Sequence, residues 1–148
     1  KVPFLFKALK VINPGLKPNF CGFNTKVSLP YVNSDEELIK SIYKKYFNNS
    51  NSAIDIYDVT LRTSTKIDEK FFKNIHISNY RIWQIDKTNI KKLKQNEAIE
   101  RGMELVIDFN DRLSYNNIDN YFSNEETLHH ILGIAIEELI REVKFARS

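Results

Sequence analysis

The chain has 148 residues, of which 42% are hydrophobic and 12% aromatic, enough for one domain with a packed core. Its 22 Lys+Arg against 19 Asp+Glu leave a net charge of only +3, which together with the lack of any Lys/Arg run argues against nucleic acid. No apolar run approaches the roughly 20 residues needed to span a bilayer, and the lone Cys21 excludes an internal disulfide and points to a reducing, intracellular compartment, cytoplasmic or nuclear.

Val2 to Ile12 is apolar, and Phe4, Phe6 and Ala8 alternate with Leu5, Lys7 and Leu9. That pattern predicts a strand buried largely on both faces. Asn13-Pro14-Gly15 breaks the chain with turn chemistry, since Pro presets φ and Gly accepts φ > 0. Thr25, Val27 and Leu29 alternate with Lys26 and Ser28, as a half-buried strand does, and Pro30 stops it. The two strands are expected to form a hairpin.

Ser34 and Glu37 make a capping box, in which the Ser oxygen accepts an orphan N–H and the Glu reaches back to another. Asp35 and Glu36 add favourable charge at the same helix end. Leu38, Ile42 and Tyr46 follow at helical spacing, flanked by Ile39 and Tyr43, with Lys40, Lys44 and Lys45 on the wet face. Asn48 to Ser52 ends this helix. Ile54 to Thr63 reads as another strand. Its apolar parity changes between Ile56 and Tyr57, which predicts a bulge there. Lys66 to Lys73 is expected to form a short helical turn, and Ile75 and Ile77 a further extended piece.

Two runs look central. Tyr80 to Ile85 carries the single tryptophan, Trp83, and Met103 to Phe109 is the cleanest alternating run in the chain. Both are expected to be strands and neighbours in one small sheet. The polar, basic Lys87–Arg101 stretch between them has helix or turn character and ends at Gly102. Asp111 to Asn120 is a polar connection. A second capping box, Ser123 with Glu126, opens a last helix. Its stripe is Leu128, Leu132, Ala135, Leu139 and Val143. Ile131, Ile134, Ile136, Ile140 and Phe145 widen the stripe beyond what one small sheet face covers.

Chemistry is sparse. Cys21 would need a positioned base to act as a nucleophile, and His76, His129 and His130 carry no spacing that supplies one. A small buried residue beside Phe20 and Phe23 accounts for it better. Successive helical residues point about 100° apart, so His129 and His130 cannot chelate one metal. Asp108, Asp111, Asp119, Glu125 and Glu126 lack calcium-loop spacing and read as a solvated connection and a helix start. No catalytic residue, metal or cofactor is therefore expected. Lys87, Lys91, Lys92 and Lys94 read as a solvated loop, or as a basic patch facing an acidic protein or phosphates.

Strand parity suggests a binding face. If Ile82 points inward, Arg81, Trp83 and Ile85 point out. On the partner strand Leu105, Ile107 and Phe109 then go in, while Glu104, Val106 and Asp108 go out. Trp and Arg are enriched at interaction hot spots. The competing expectation is that the last helix of the chain covers this face.

Arg81-Ile82-Trp83 and Gly102-Met103-Glu104-Leu105-Val106-Ile107 resemble the ubiquitin-like domains found inside some ubiquitin-specific proteases. Those domains carry an Arg-Leu-Trp type strand and a later Gly-containing turn into a Val/Ile-rich last strand. The order of hairpin and then capped helix also resembles the β-grasp order. The resemblance implies an α+β, β-grasp (ubiquitin-like) mixed sheet with one packed helix over residues 1–110. Residues 111–148 then add a connection and a C-terminal helix to this single domain. The segment with Ile54–Thr63 and the long last helix depart from the pattern. The protease's Gly-Asn-Thr-Cys box is missing, so such activity would lie outside this chain. The same topology resembles Ras-associating domains, in which a strand follows the first helix directly, as Ile54–Thr63 would.

The expected function is a non-catalytic protein–protein interaction module, a ubiquitin-like regulatory or targeting domain of a larger intracellular protein. Its contact face would be Arg81, Trp83, Ile85 and Val106. The alternatives are a small-GTPase-binding adaptor using the edge strand Thr25–Leu29 with Lys26, and a subunit of a constitutive assembly. In the last reading the helix Glu125–Phe145 packs on a partner or on a second copy.

Overall fold

A computed structural model describes residues 2–47, 56–85, 94 and 97–147, with side chains described from residue 7 onward. The protein is α+β. In chain order its elements are α1 (Val2–Ile12), β1 (Gly22–Pro30), α2 (Asp35–Phe47), β2 (Thr60–Ile67), β3 (Phe71–Ile82), β4 (Glu100–Asn110), α3 (Arg112–Asn117) and α4 (Glu125–Arg147). The four strands form one sheet in the order β1-β4-β3-β2. The two runs singled out by pattern therefore supply its two central strands.

Every neighbouring pair is antiparallel. The Tyr31 N–H donates to Arg101 C=O at one end of the β1–β4 ladder, and the Asp111 N–H donates to Cys21 C=O at the other. Ile99 N–H donates to Ile82 C=O where β3 meets β4. β2 and β3 are joined by a tight turn in which Lys70 N–H donates to Ile67 C=O at 3.1 Å. Asp68 and Glu69 in that turn have φ of 50° and 54°. Two central residues with positive φ twist the turn the way the strands twist. The Lys66–Lys73 stretch is thus a hairpin, not the expected helical turn. The sheet is also antiparallel throughout, not mixed.

The chain divides into two compact units: residues 1–25, 63–75 and 107–148, and residues 26–62 and 76–106. In the first, Phe71, Ile75, Ile107 and Phe109 are buried, as are Leu113 of α3 and Ile131 and Ala135 of α4. Lys73 of β3 pairs with Glu138 of α4 at 2.8 Å. The helix α1 lies along α4. In the second unit the core is Leu29, Leu38, Ile39, Ile42, Val59, Ile77, Met103 and Leu105. The α2 stripe and the inward residues of β4 match their predicted registers.

Other expectations need correction. Val2–Ile12 is a helix, so β1 has no preceding strand to form a hairpin. A short apolar run fits either period, and Pro3 decides it: proline is tolerated in a first helical turn but removes a donor from a ladder. Within Ile54–Thr63, residues 54 and 55 lie outside the described residues. Residues 56–59 are not strand, so no bulge occurs at Ile56-Tyr57. The pairing of this segment starts with side-chain help: Val59 N–H donates to Asn79 Oδ1 at 2.8 Å. β3 stops at Ile82, which leaves Trp83 to Ile85 beyond the ladder.

Gly102 lies inside β4 and not in a turn. A Cβ there would run into Leu29 C=O and would meet the Tyr80 ring at 2.7 Å. Close approach of β1 and Tyr80 is what requires glycine here. In the Lys87–Arg101 stretch, residues 87–93, 95 and 96 lie outside the described residues.

Ser34 caps α2 as read: its Oγ accepts from Glu37 N–H at 3.3 Å. Replacement of Ser34 by Ala is expected to cost about 0.5–2 kcal/mol, read as a lower urea midpoint with an unchanged slope. A midpoint equal to that of the unsubstituted chain would mean the bond contributes nothing.

Candidate functional site

The binding face read from parity is only partly assembled. Arg81 shares the odd-numbered register of the buried Ile77, so it points to the covered side of β3. Its side chain is 6% exposed. Nε donates to Asp35 Oδ2 at 2.7 Å, Nη1 to Asp58 Oδ1 at 2.7 Å and Nη2 to Tyr57 C=O at 2.9 Å. The guanidinium also lies over the Tyr57 ring, 4.9 Å from its centroid. Burial pulls the guanidinium pKa down, but hydrogen bonds and charge from Asp35 and Asp58 outweigh it and hold the group above its ordinary value. Asp35 opens α2, where a carboxylate also meets the positive end of the helix dipole. Arg101 Nε approaches the same carboxylate at 3.7 Å.

The premise that Ile82 points inward therefore fails. Ile82 is 45% exposed. The physical reason is that a guanidinium able to find two carboxylates and a carbonyl goes under cover more readily than hydrophobicity alone suggests. Two further isoleucines near this strand end are exposed. Ile85 is 57% and Ile99 66% exposed, and Ile82 and Ile99 are bonded through their backbones. Trp83 is half-buried, and its indole N–H donates to Lys94 C=O at 2.8 Å. Sequence reasoning selected Trp83 and Ile85 but missed Ile82 and Ile99. Ile99 sits at the end of a polar stretch without periodicity, so no pattern marked it.

Val106 is half-buried and outward on β4, as read. Lys26 is on β1, which is an edge strand, and pairs with Glu104. Tyr80 donates its hydroxyl to Glu100 Oε1 at 2.7 Å. Burial and then the Glu100 carboxylate push its pKa up to about 12.

In the first unit a fully buried carboxylate, Asp111, organises the other polar cluster. Its Oδ1 accepts from Cys21 N–H at 2.7 Å, and its Oδ2 from Tyr121 O–H at 2.7 Å and from the Ser123 hydroxyl. Ser123 is thus occupied, and Asn124 caps α4 instead, its Oδ1 accepting from Thr127 N–H at 2.8 Å. Asp111 itself is not the solvated loop acid that was expected. Burial, and then the nearby Asp111 charge against a bond from Ser123, leave the Cys21 thiol pushed up from 9.0 to about 11. A protonated thiol is a poor nucleophile. Burial followed by the bond to Asp111 also raises the pKa of Tyr121.

The remaining candidates are dispersed. His130 rests on Phe71, ring centroids 5.3 Å apart, and His129 faces Glu125 at 3.9 Å. Asp108 accepts from Asn74 and Asn110, each at 2.9 Å. Among the described residues, no group of three or more His, Cys, Asp or Glu could hold a metal, and no helix is long and apolar enough to cross a membrane. Lys87, Lys91 and Lys92 lie outside the described residues. No family profile, curated protein or solved structure matches the chain.

Arg81→Ala is expected to cost about 3–5 kcal/mol, because it removes the hydrogen-bonded partner of the buried Asp35 carboxylate and leaves it only Arg101 at 3.7 Å. Asp58, whose side chain is 56% exposed, should cost less than about 1 kcal/mol when replaced by Ala. Urea unfolding of the two variants checks the contrast, and equal small losses would disprove the anchoring role.

Alkaline pH tests the Asp111 cluster. Cys21 keeps its proton in the folded chain up to about pH 11 but loses it near 9.0 when unfolded. The unfolded state then binds fewer protons, so this contribution is present below pH 9.0 and is lost as pH rises towards 11. Cys21→Ala is expected to flatten the fall in melting temperature over that window. An identical fall in both chains would remove Cys21 as a cause.

Proposed function

We propose that this chain is a non-catalytic protein–protein interaction module that meets its partner through the end of the β3–β4 pair. The contact residues are Ile82, Trp83, Ile85 and Ile99; Val106 and Lys26 occupy outward strand positions farther along the sheet. The observation that carries the reading is three isoleucines left 45–66% exposed at the strand end that carries the single tryptophan. Exposed apolar surface, where it is contiguous, marks interaction sites. The bond from Trp83 to Lys94 C=O holds the ring in place, which lowers the entropy lost on binding.

A ubiquitin-like regulatory or targeting role rests on the resemblance of Arg81-Ile82-Trp83 and of the β4 run. The helix at Val2–Ile12 and the antiparallel sheet depart from a β-grasp mixed sheet, so the motif strands support that role more than the topology does. Any catalysis would belong to a larger protein around this module, and a chain with one cysteine fits an intracellular setting. A second reading, small-GTPase binding, is favoured by one observation: β1, with Lys26 outward, is an edge strand open to pairing with a partner's edge.

Photo-crosslinking residues placed at positions 85 and 99, with position 28 as the β1 comparison, would identify the partner in native extract. Binding of that purified partner is then expected to weaken by roughly tenfold or more on Ile85→Asp or Ile99→Asp, with the melting curve unchanged. A partner captured only from position 28, with affinity falling steeply as salt rises, would favour the GTPase-type edge. Equal binding by all variants would overturn the proposed surface.

A further inference from the structure

The helix α4 presents two exposed isoleucines, Ile136 and Ile140, on a side that the described residues leave uncovered. Its buried side is marked by Ile131 and Ala135. At about 100° per residue, the opposite sector, roughly 80° wide, holds Glu126, His129, Gly133, Ile136, Ile140, Lys144 and Arg147. Ile136 is 46% and Ile140 50% exposed, and a Cβ added at Gly133 would meet nothing within 4 Å. Glycine is the poorest helix former apart from proline, so at mid-helix on an outward stripe it costs stability without serving the fold of this chain. What it offers is room for another backbone to come close.

The charges on the stripe say which backbone. The acid, Glu126, stands at the first turn, and the bases, Lys144 and Arg147, stand at the last. A parallel copy would set like against like. An antiparallel copy sets acid against base at both ends. We propose that α4 pairs antiparallel with α4 of a second copy about a two-fold axis near Ile136 and Glu137. Ile140 of each copy then sits over Gly133 of the other, and Glu126 lines up with Arg147 at both ends of the contact. His129 comes beside Lys144, and Glu137 stays at the rim. The pairing is isologous, so it closes at two chains.

Sedimentation velocity of the purified chain from about 1 to 200 µM is expected to show a reversible dimer. Ile140→Asp and Gly133→Leu should each weaken it by roughly tenfold or more, with helical circular dichroism retained. Glu126→Arg should weaken it as well, and adding Arg147→Glu should restore it, a rescue that a merely structural role would not produce. A chain that stays monomeric across the range overturns the proposal. So does a dimer indifferent to Ile140→Asp, or one that the charge exchange does not restore. None of these outcomes bears on the Ile85 and Ile99 surface, which the crosslinking experiment tests separately.

Discussion

A guanidinium on the covered side of β3 decides how this strand is used. Arg81 is satisfied by Asp35, Asp58 and Tyr57 C=O, and only this register brings it to them. Strand side chains alternate, so a slip by one residue would turn Arg81 out and Ile82 in, leaving Asp35 buried without its partner. A buried ion pair adds little net stability over a well-packed apolar pair, because both charges are desolvated. Breaking one is expensive, and that asymmetry makes it effective at excluding the wrong register. Ile82 outside, and with it the apolar end that includes Ile85 and Ile99, is the consequence.

Asp111 plays the corresponding part in the first unit. It accepts bonds from a backbone N–H of the segment before β1, and from a tyrosine and a serine of the α3–α4 connection. Three donors make a buried carboxylate tolerable. The same three bonds settle nearby chemistry. They take Ser123 away from capping α4, and the charge helps keep Cys21 a thiol. Asp111, Tyr121 and Ser123 are thus committed to holding this part of the chain together.

What could be read from the residues follows from the range of the forces involved. The capped helix α2 and the alternating β4 were legible because a local signal and the core agreed in each. The parity of β3 was not, because the partner of Arg81 lies in α2 and an aliphatic neighbour was the natural guess for the core. The helix at Val2–Ile12 turned on weighing Pro3 against an apolar run that both periods fit. The β2–β3 turn was hidden because Asp68 and Glu69 occupy positions where glycine or asparagine would have announced it. The Trp83 and Ile85 end was half legible, since composition marked the tryptophan but nothing periodic marked Ile99.

The excess of apolar residues on α4 was also visible beforehand, and the structure sharpens its meaning. The stripe is too wide for one face, and the surplus remains outside at Ile136 and Ile140 with Gly133 between the charged ends. If two chains join through that stripe, each brings one Ile82, Trp83, Ile85 and Ile99 end, and the assembly becomes bivalent. A partner that presents two sites within reach would then be held by effective concentration as well as by contact. Weak single contacts suffice under that arrangement, which suits a surface built from a few isoleucines and one half-buried tryptophan. Binding strength would then depend on the α4 contact, although no residue of α4 need touch the partner.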